Sequence, residues 1–263
     1  AKGYNQLVEI LDKETNEAFN AITLANMNKT KVEYEKYLPI VNSLNEAVKC
    51  DECDNQPNDK VKVAPKFRKK NADRLANLRT VLINAANETT DPDKKLVLAN
   101  AYINSSESPL FAEALKAGDP YIGYAQFFAA AAYYNKEDWN KAANYAEKAL
   151  KCDDVKENAE QYLVSALTKN LKTKSDTIAY LKKLNEINAE KYMAQIASLY
   201  NQIGEKQLSD KILNDAIAAN PNNKMAYAIK GENAMNDRNW DEAIKNFKKT
   251  VEIDPAFTAV WFN

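Results

Sequence analysis

Histidine is absent from this 263-residue chain. That removes the commonest general base and the commonest zinc ligand, and it excludes Ser-His-Asp and Cys-His catalysis. Glycine occurs only 5 times. The five positions are scattered, so no phosphate-cradling GxGxxG or GxxxxGK[ST] loop can be built. Few glycines and only 8 prolines also argue against an all-β fold, which consumes turn residues. Three cysteines are too few for a disulfide scaffold. No run approaches the roughly 18 apolar residues of a membrane span. Net charge is -1, so there is no overall basic field to attract nucleic acid or anionic lipid.

What is present is ordinary for a globular protein: 45% hydrophobic and 28% charged residues. Ala, Lys, Glu, Leu and Asn dominate, and apolar residues recur at three and four spacing, the period of an amphipathic helix. In "WDEAIKNFKKTVEI", Ala243, Ile244, Phe247, Val251 and either Thr250 or Ile253 share one face. The fold class expected is all-α.

The helices repeat. Pro221 and Pro255 end two similar segments 34 residues apart. The same interval separates Tyr227 from Trp261 and Leu213 from Phe247. Trp139 precedes Trp240 by 101 residues, one short of three such periods. Each pair needs a small residue where its helices cross, here Ala130, Ala197 and Gly231 on first helices, Ala142 and Ala243 on second ones. Tyr133, Tyr200, Leu213 and Phe247 fill the gaps. One pair cannot bury its own face, so pairs must stack.

The stretch "AYAIKGENAMNDRNWDEAIKNFKKTVEIDP" resembles a tetratricopeptide repeat, with Tyr227, Gly231, Ala243, Phe247 and Pro255 at its marked positions and Lys230 and Ala234 as departures. The resemblance extends over 123–257, with Asp154 where a proline is expected. It implies a right-handed α-solenoid of stacked antiparallel helix pairs. Repeats fall at about 92–122, 123–156, 157–189, 190–223 and 224–257, with the start of a further one at 258–263. Residues 92–120 read as a compressed helical pair, its second helix opened by Pro109. Residues 1–91 read as degenerate helical repeats with a loop near 52–65. Within them, 4–26 is one long amphipathic helix, Pro39 forces a kink or a new start, and 66–88 returns to helix.

The resemblance also implies a concave groove lined by first helices. In its register the groove residues are Tyr124, Phe127, Tyr134 and Asn135, then Tyr162, Lys169 and Asn170. Lys191, Ser198, Asn201 and Gln202 follow, and Glu232, Met235 and Asn236 complete the set. The surface is aromatic at one end and rich in amides at the other, which suits an extended polypeptide. Phe127 and Ala131 stand where the family's carboxylate clamp would have lysine and asparagine, so capture of a C-terminal carboxylate is not expected. The leading reading is a non-enzymatic scaffold for a protein or peptide, with no cofactor and no metal. The alternatives are a self-assembling structural protein, and a thiol redox or metal role for Cys50 and Cys53.

Those two cysteines lie in "AVKCDECD" (47–54). The pair follows a helical run, so it sits at a helix C-terminus, the wrong end to activate a thiol. "KALKCDDVK" around Cys152 is similar, and its register makes Cys152 and Cys50 buried small hydrophobes, with the carboxylates in the turn. Cys53 has no counterpart. The basic run "KVKVAPKFRKK" (60–70) reads as a solvated loop and helix start rather than a nucleic-acid patch, because one short run lacks interleaved aromatics. Two expectations concern the ends. Trp261 opens a repeat the chain does not finish, so the native protein is expected to continue past Asn263. The start at Ala1 without methionine leans towards a mature exported, periplasmic protein of bacterial type, otherwise a cytoplasmic one.

Overall fold

The computed structural model describes residues 1–57 and 65–257. Their regular structure is twelve α-helices and two short 3-10 turns, with no strand among the described residues. No helix among them is long and apolar enough to cross a membrane. The chain divides into two compact units, Ala1–Lys169 and Asn170–Asn263. Within each unit, helices adjacent in sequence pack on one another. The division falls inside the segment read as the 157–189 repeat. Residues 58–64 of the loop and the further repeat expected at Trp261 lie outside the described residues.

The first unit opens with α1 (Lys2–Met27), which buries Val8, Thr15, Ala18 and Ile22. These face α2 (Leu38–Asp54), which buries Ile40, Val41, Leu44, Ala47 and Cys50. Pro39 lies in the first turn of α2, where its missing N–H leaves nothing unpaired. The helix expected over 66–88 is two: α3 (Arg68–Leu75) and α4 (Val81–Glu88). Their interruption accompanies an inward arginine. Arg79 is 2% exposed. Its Nη2 donates to Asp119 Oδ2 and to Ser106 Oγ (2.6 Å), and its guanidinium lies 4.3 Å over the Tyr102 ring. A buried charge is tolerable only when paired in this way.

Asp91 caps α5 (Pro92–Glu107), accepting hydrogen bonds from the N–H groups of Asp93 and Lys94. The second helix expected after Pro109 is instead a 3-10 turn, Pro109–Phe111, followed by turns as far as Ala117. Only Leu110 and Phe111 are buried there, so the segment has no apolar stripe to hold a longer helix against the core. Three helices complete the unit: α6 (Ile122–Asn135), α7 (Trp139–Ala149) and α8 (Asp153–Lys169).

The second unit begins with α9 (Lys174–Gln202). Thr173 and Asp176 form a capping box at its start. Asn188 (φ -164, ψ 94) breaks α9, and its Oδ1 accepts from Lys191 N–H at 2.9 Å, so it acts as an N-cap inside the rod. Then come α10 (Lys206–Ala219), α11 (Lys224–Asn236) and α12 (Trp240–Ile253).

One turn recurs in both units. Asp138 N–H donates to Tyr133 O at 3.0 Å, Glu205 N–H to Tyr200 O at 2.8 Å, and Asn239 N–H to Ala234 O at 2.8 Å. Each encloses a residue with positive φ: Glu137 (60), Gly204 (80) and Arg238 (60). This is the Schellman stop of a helix, and α1 ends in the same way, with Thr30 N–H donating to Ala25 O at 2.9 Å around Lys29 (φ 53). After the second helices, Asn220 and Asp254 accept from the N–H groups of Asn222 and Ala256, again 34 residues apart.

The small residues stand where crossings need them. Ala130, Ala142 and Ala197 are 0% exposed. A Cβ on Gly231 would lie 2.4 Å from the Phe247 ring, and one on Gly123 would lie 2.2 Å from Cys152 Cβ. One expected core position fails. Ile244 is 52% exposed and Asn246 is buried on α12 instead, while Thr250, one of the two alternatives for the last position of the face, is buried as that alternative has it. Both satisfy their own polar groups locally: Asn246 Nδ2 donates to Glu242 O (2.7 Å) and Thr250 Oγ1 to Asn246 O (3.0 Å), so their burial costs little.

Glycine to alanine inside a helix ordinarily gains up to about 1 kcal/mol. Here the sign reverses. Gly231→Ala should destabilise by about 1–2 kcal/mol, because the Phe247 ring has to swing away. Gly123→Ala should cost more, because Cys152 Cβ is fixed to its backbone. Urea unfolding of both variants measures this, and a stabilised Gly123→Ala would refute the crossing.

Candidate functional site: an aromatic face on α6 and α8

The sequence of α6, "IGYAQFFAAAAYYN", is divided by the helical period. Ala125, Ala129, Ala130 and Ala132 are fully buried, which lets neighbouring helices approach closely. Tyr124, Phe127 and Tyr134 lie within one stripe and are half-buried. On α8, Tyr162 and Ser165 meet them.

The rings form a ladder. Phe127 and Tyr162 are 5.7 Å apart at 71°, and Tyr162 and Tyr134 are 5.2 Å apart at 80°. Tyr134 and Trp139, the first residue of α7, are 5.0 Å apart at 71°. Each is the edge-to-face arrangement that the ring quadrupole prefers. The Tyr134 hydroxyl and Ser165 Oγ share a hydrogen bond of 2.6 Å. Tyr124 donates its phenol proton to Asp154 Oδ2 at 2.6 Å. The carboxylate holds that proton, pushing Tyr124 from its ordinary 10.0 up to about 12. Tyr124 and Phe127 also rest on Ala149, Val155 and Ala159.

Four of the expected groove residues are therefore brought to one face: Tyr124, Phe127, Tyr134 and Tyr162. Asn135 ends α6 and Lys169 ends α8, both exposed. Asn170 is the first residue of the second unit. In that unit Asn201 Nδ2 donates to Asn233 Oδ1 (2.7 Å), and Asn233 Nδ2 donates to Ser209 Oγ (3.1 Å). Lys191 follows the Asn188 cap, its ammonium 5.3 Å over the Tyr192 ring. Gln202, Glu232 and Asn236 are exposed. Sequence reasoning missed Trp139 and Ser165 as members of the face, and Asn233 as the partner of Asn201. Asp154 had left a signal, as the residue standing in place of the expected proline.

The cysteines occupy three environments. Cys50 is buried, and burial pushes its thiol above the ordinary value. Cys152 is only half-buried, in the turn after α7 rather than at a helix end, with Gly123 packed over its Cβ. Cys53 is exposed on the last turn of α2. The carboxylates expected in a turn here belong to that helix too. Asp51 is buried and bridges Arg68, whose Nε and Nη2 reach its two oxygens at 2.6 and 2.9 Å. Lys70 pairs with Glu9 (2.6 Å) and Arg74 with Asp12 (3.0 Å). Arg68 and Lys70 of the basic run, and Arg74 on the helix it opens, thus pair with carboxylates of α1 and α2. Among the described residues no group of three or more Cys, Asp or Glu side chains is placed to hold a metal ion.

Two outcomes check this site. Asp154→Asn should return Tyr124 towards 10, read as a single tyrosine in a difference titration near 295 nm. The sign follows from the raised phenol: the stabilisation is complete below pH 10 and is lost as pH rises from about 10 through about 12. An aromatic thiol reagent should modify Cys53 quickly, Cys152 slowly and Cys50 only on unfolding; rapid reaction of Cys50 would contradict its burial. No protein-family model matches the chain, and no curated protein matches its sequence.

Proposed function

We propose that this chain is a non-enzymatic tetratricopeptide-like scaffold, a right-handed α-solenoid of antiparallel helix pairs, that binds a protein or peptide segment. The aromatic face of α6 and α8 is its contact surface. The observation that carries this reading is the ladder Phe127–Tyr162–Tyr134–Trp139, left half-exposed rather than sealed in the core. Aromatic side chains offer large contact area with few rotors to freeze, and they dominate binding hot spots. The turn that recurs at Glu137, Gly204 and Arg238 supports the repeat assignment. The absence of histidine from the chain favours binding over general acid-base chemistry.

A second reading, self-association, draws on α1. Leu7, Ile10, Leu24 and Met27 are 45%, 70%, 59% and 76% exposed on that helix. Sedimentation at several concentrations separates the two readings, since Ile10→Lys should dissociate an α1-mediated oligomer.

Peptide display panned in parallel on the wild-type chain and on Tyr162→Ala tests the first reading. Enriched peptides should bind the wild type at least tenfold more tightly than the variant, a loss of roughly 1.4 kcal/mol or more. Unchanged far-ultraviolet circular dichroism would show that the helices persist. Peptides that bind both forms equally would overturn the assignment of the face.

A further inference from the structure

Within the second unit, the bend of α9 and the facing side of α10 form a cavity of about 500 Å³. Asn185 lines it from before the break at Asn188, and Ala189, Glu190 and Met193 line it from after. Ile212, Ala216 and Ala219 of α10 extend the apolar floor begun by Ala189 and Met193. A volume of this size is ordinary for a small-molecule site.

The repeat supplies a comparison inside the same unit. Residues 34 positions later hold the corresponding places in the next helix pair. There Lys224 and Asp254 form an ion pair that ties the start of α11 to the end of α12, and the Lys224 ammonium lies 5.5 Å over the Phe257 ring. Around the cavity those three places carry Glu190, Asn220 and Asn223. The Glu190 carboxylate makes no hydrogen bond or ion pair among the described residues. Ala219 stands where the next pair has Ile253, and Ala216 where it has Thr250. Small side chains and an unmade ion pair therefore leave space here. The charge changes sign as well. The ionisable residues lining the cavity are Glu190, Asp215 and Lys211, two acids against one base, and Lys211 is already paired with Asp215 at 2.6 Å. The matching places in the next pair, with Asp254, are Lys224, Lys249 and Lys245, three bases against one acid. Lys191, next to Glu190 in sequence, does not line the cavity; its ammonium lies 5.3 Å over the Tyr192 ring. Glu190 thus occupies the place of a lysine that has a carboxylate partner, and it has no cation of its own.

We infer that this cavity binds a small amphiphilic amine, with a primary ammonium against Glu190 and an apolar chain on the floor between α9 and α10. The site draws nothing from the aromatic face of α6 and α8, so its failure leaves the peptide-binding reading untouched. The probes are octylamine, octanol and octanoate, titrated into the whole chain by calorimetry at neutral pH. Octylamine should bind about fivefold more tightly than octanol, the most an exposed ion pair supplies, and octanoate more weakly than either. Butylamine should bind at least roughly tenfold more weakly than octylamine, because each methylene it lacks would have been buried. Glu190→Gln should bring octylamine down to the level of octanol and leave octanol unchanged. Ala219→Ile installs the residue that the next pair carries at 253, and should abolish binding of both while circular dichroism shows the helices intact. Equal binding of the three head groups, no effect of Glu190→Gln, or undiminished binding by folded Ala219→Ile would overturn the inference. Binding of a lysine-containing peptide without binding of octylamine would overturn it too, since the cavity would then belong to a protein side chain.

Discussion

Several of the close helix crossings among the described residues are made where one helix has almost no side chain. Gly231 lies against the Phe247 ring, Gly123 against Cys152, and fully buried alanines hold the other crossings. The rest of the arrangement follows from that constraint. On α6 the close approach uses the alanine side of the helix, so large residues have nowhere to go except the remaining stripe. The aromatic face is in this sense a consequence of packing: a helix thin enough to be gripped on one side concentrates its bulk on the other. Each ring there still gains part of the roughly 1.5–3 kcal/mol available to a fully buried side chain, and the edge-to-face contacts add to it.

The two ends of the chain solve the packing problem differently, which explains how much could be read from the sequence. From residue 122 onwards the crossings and turns repeat, and repetition is visible in a single sequence. The interval of 34, the small residues and the ends of α11 and α12 all follow from it. Before residue 122 the contacts are particular. Arg79 reaches Asp119 and Ser106, while Arg68 reaches Asp51. Such pairs join residues 17 to 40 positions apart with no period. The break at 76–80 accompanies the inward Arg79, and the 3-10 turn at Pro109–Phe111 stands where an apolar stripe is missing, while helical periodicity alone predicts helices there. The ionic contacts also carry a cost that a repeated alanine crossing does not. Arg79 Nη1 is buried without a partner, a group that costs about 1–3 kcal/mol to desolvate.

The site was legible in the same uneven way. The register places Tyr124, Phe127, Tyr134 and Tyr162 on one face because it counts positions along first helices. It says nothing of what comes from other elements. Trp139 enters from α7, Ser165 stands one turn beyond Tyr162 at a position the register does not count, and Asp154 is the second residue of α8, where the expected repeat has proline. Ile244 was misplaced for a related reason. The period specifies that one side of α12 is buried, but Asn246 can occupy it by bonding to its own helix backbone, a choice hydropathy does not register.

The two kinds of surface expected of the groove are not energetically equivalent. In the second unit Asn201 is already bonded to Asn233, and Asn233 to Ser209. A ligand would have to replace those bonds, and an exchange of one neutral hydrogen bond for another returns little net energy. On α6 and α8 the reverse holds. Tyr134 is fixed by Ser165 and Trp139, and Tyr124 by Asp154, so their rotamers are set before anything binds. Tyr162 stands between two fixed rings with its hydroxyl unspent. A ligand placed there meets preorganised surface, gains contacts without breaking any, and freezes little that was free. Of the two surfaces, each taken within its own unit, the aromatic face of α6 and α8 is the one whose side chains are held in place while one hydroxyl stays unspent.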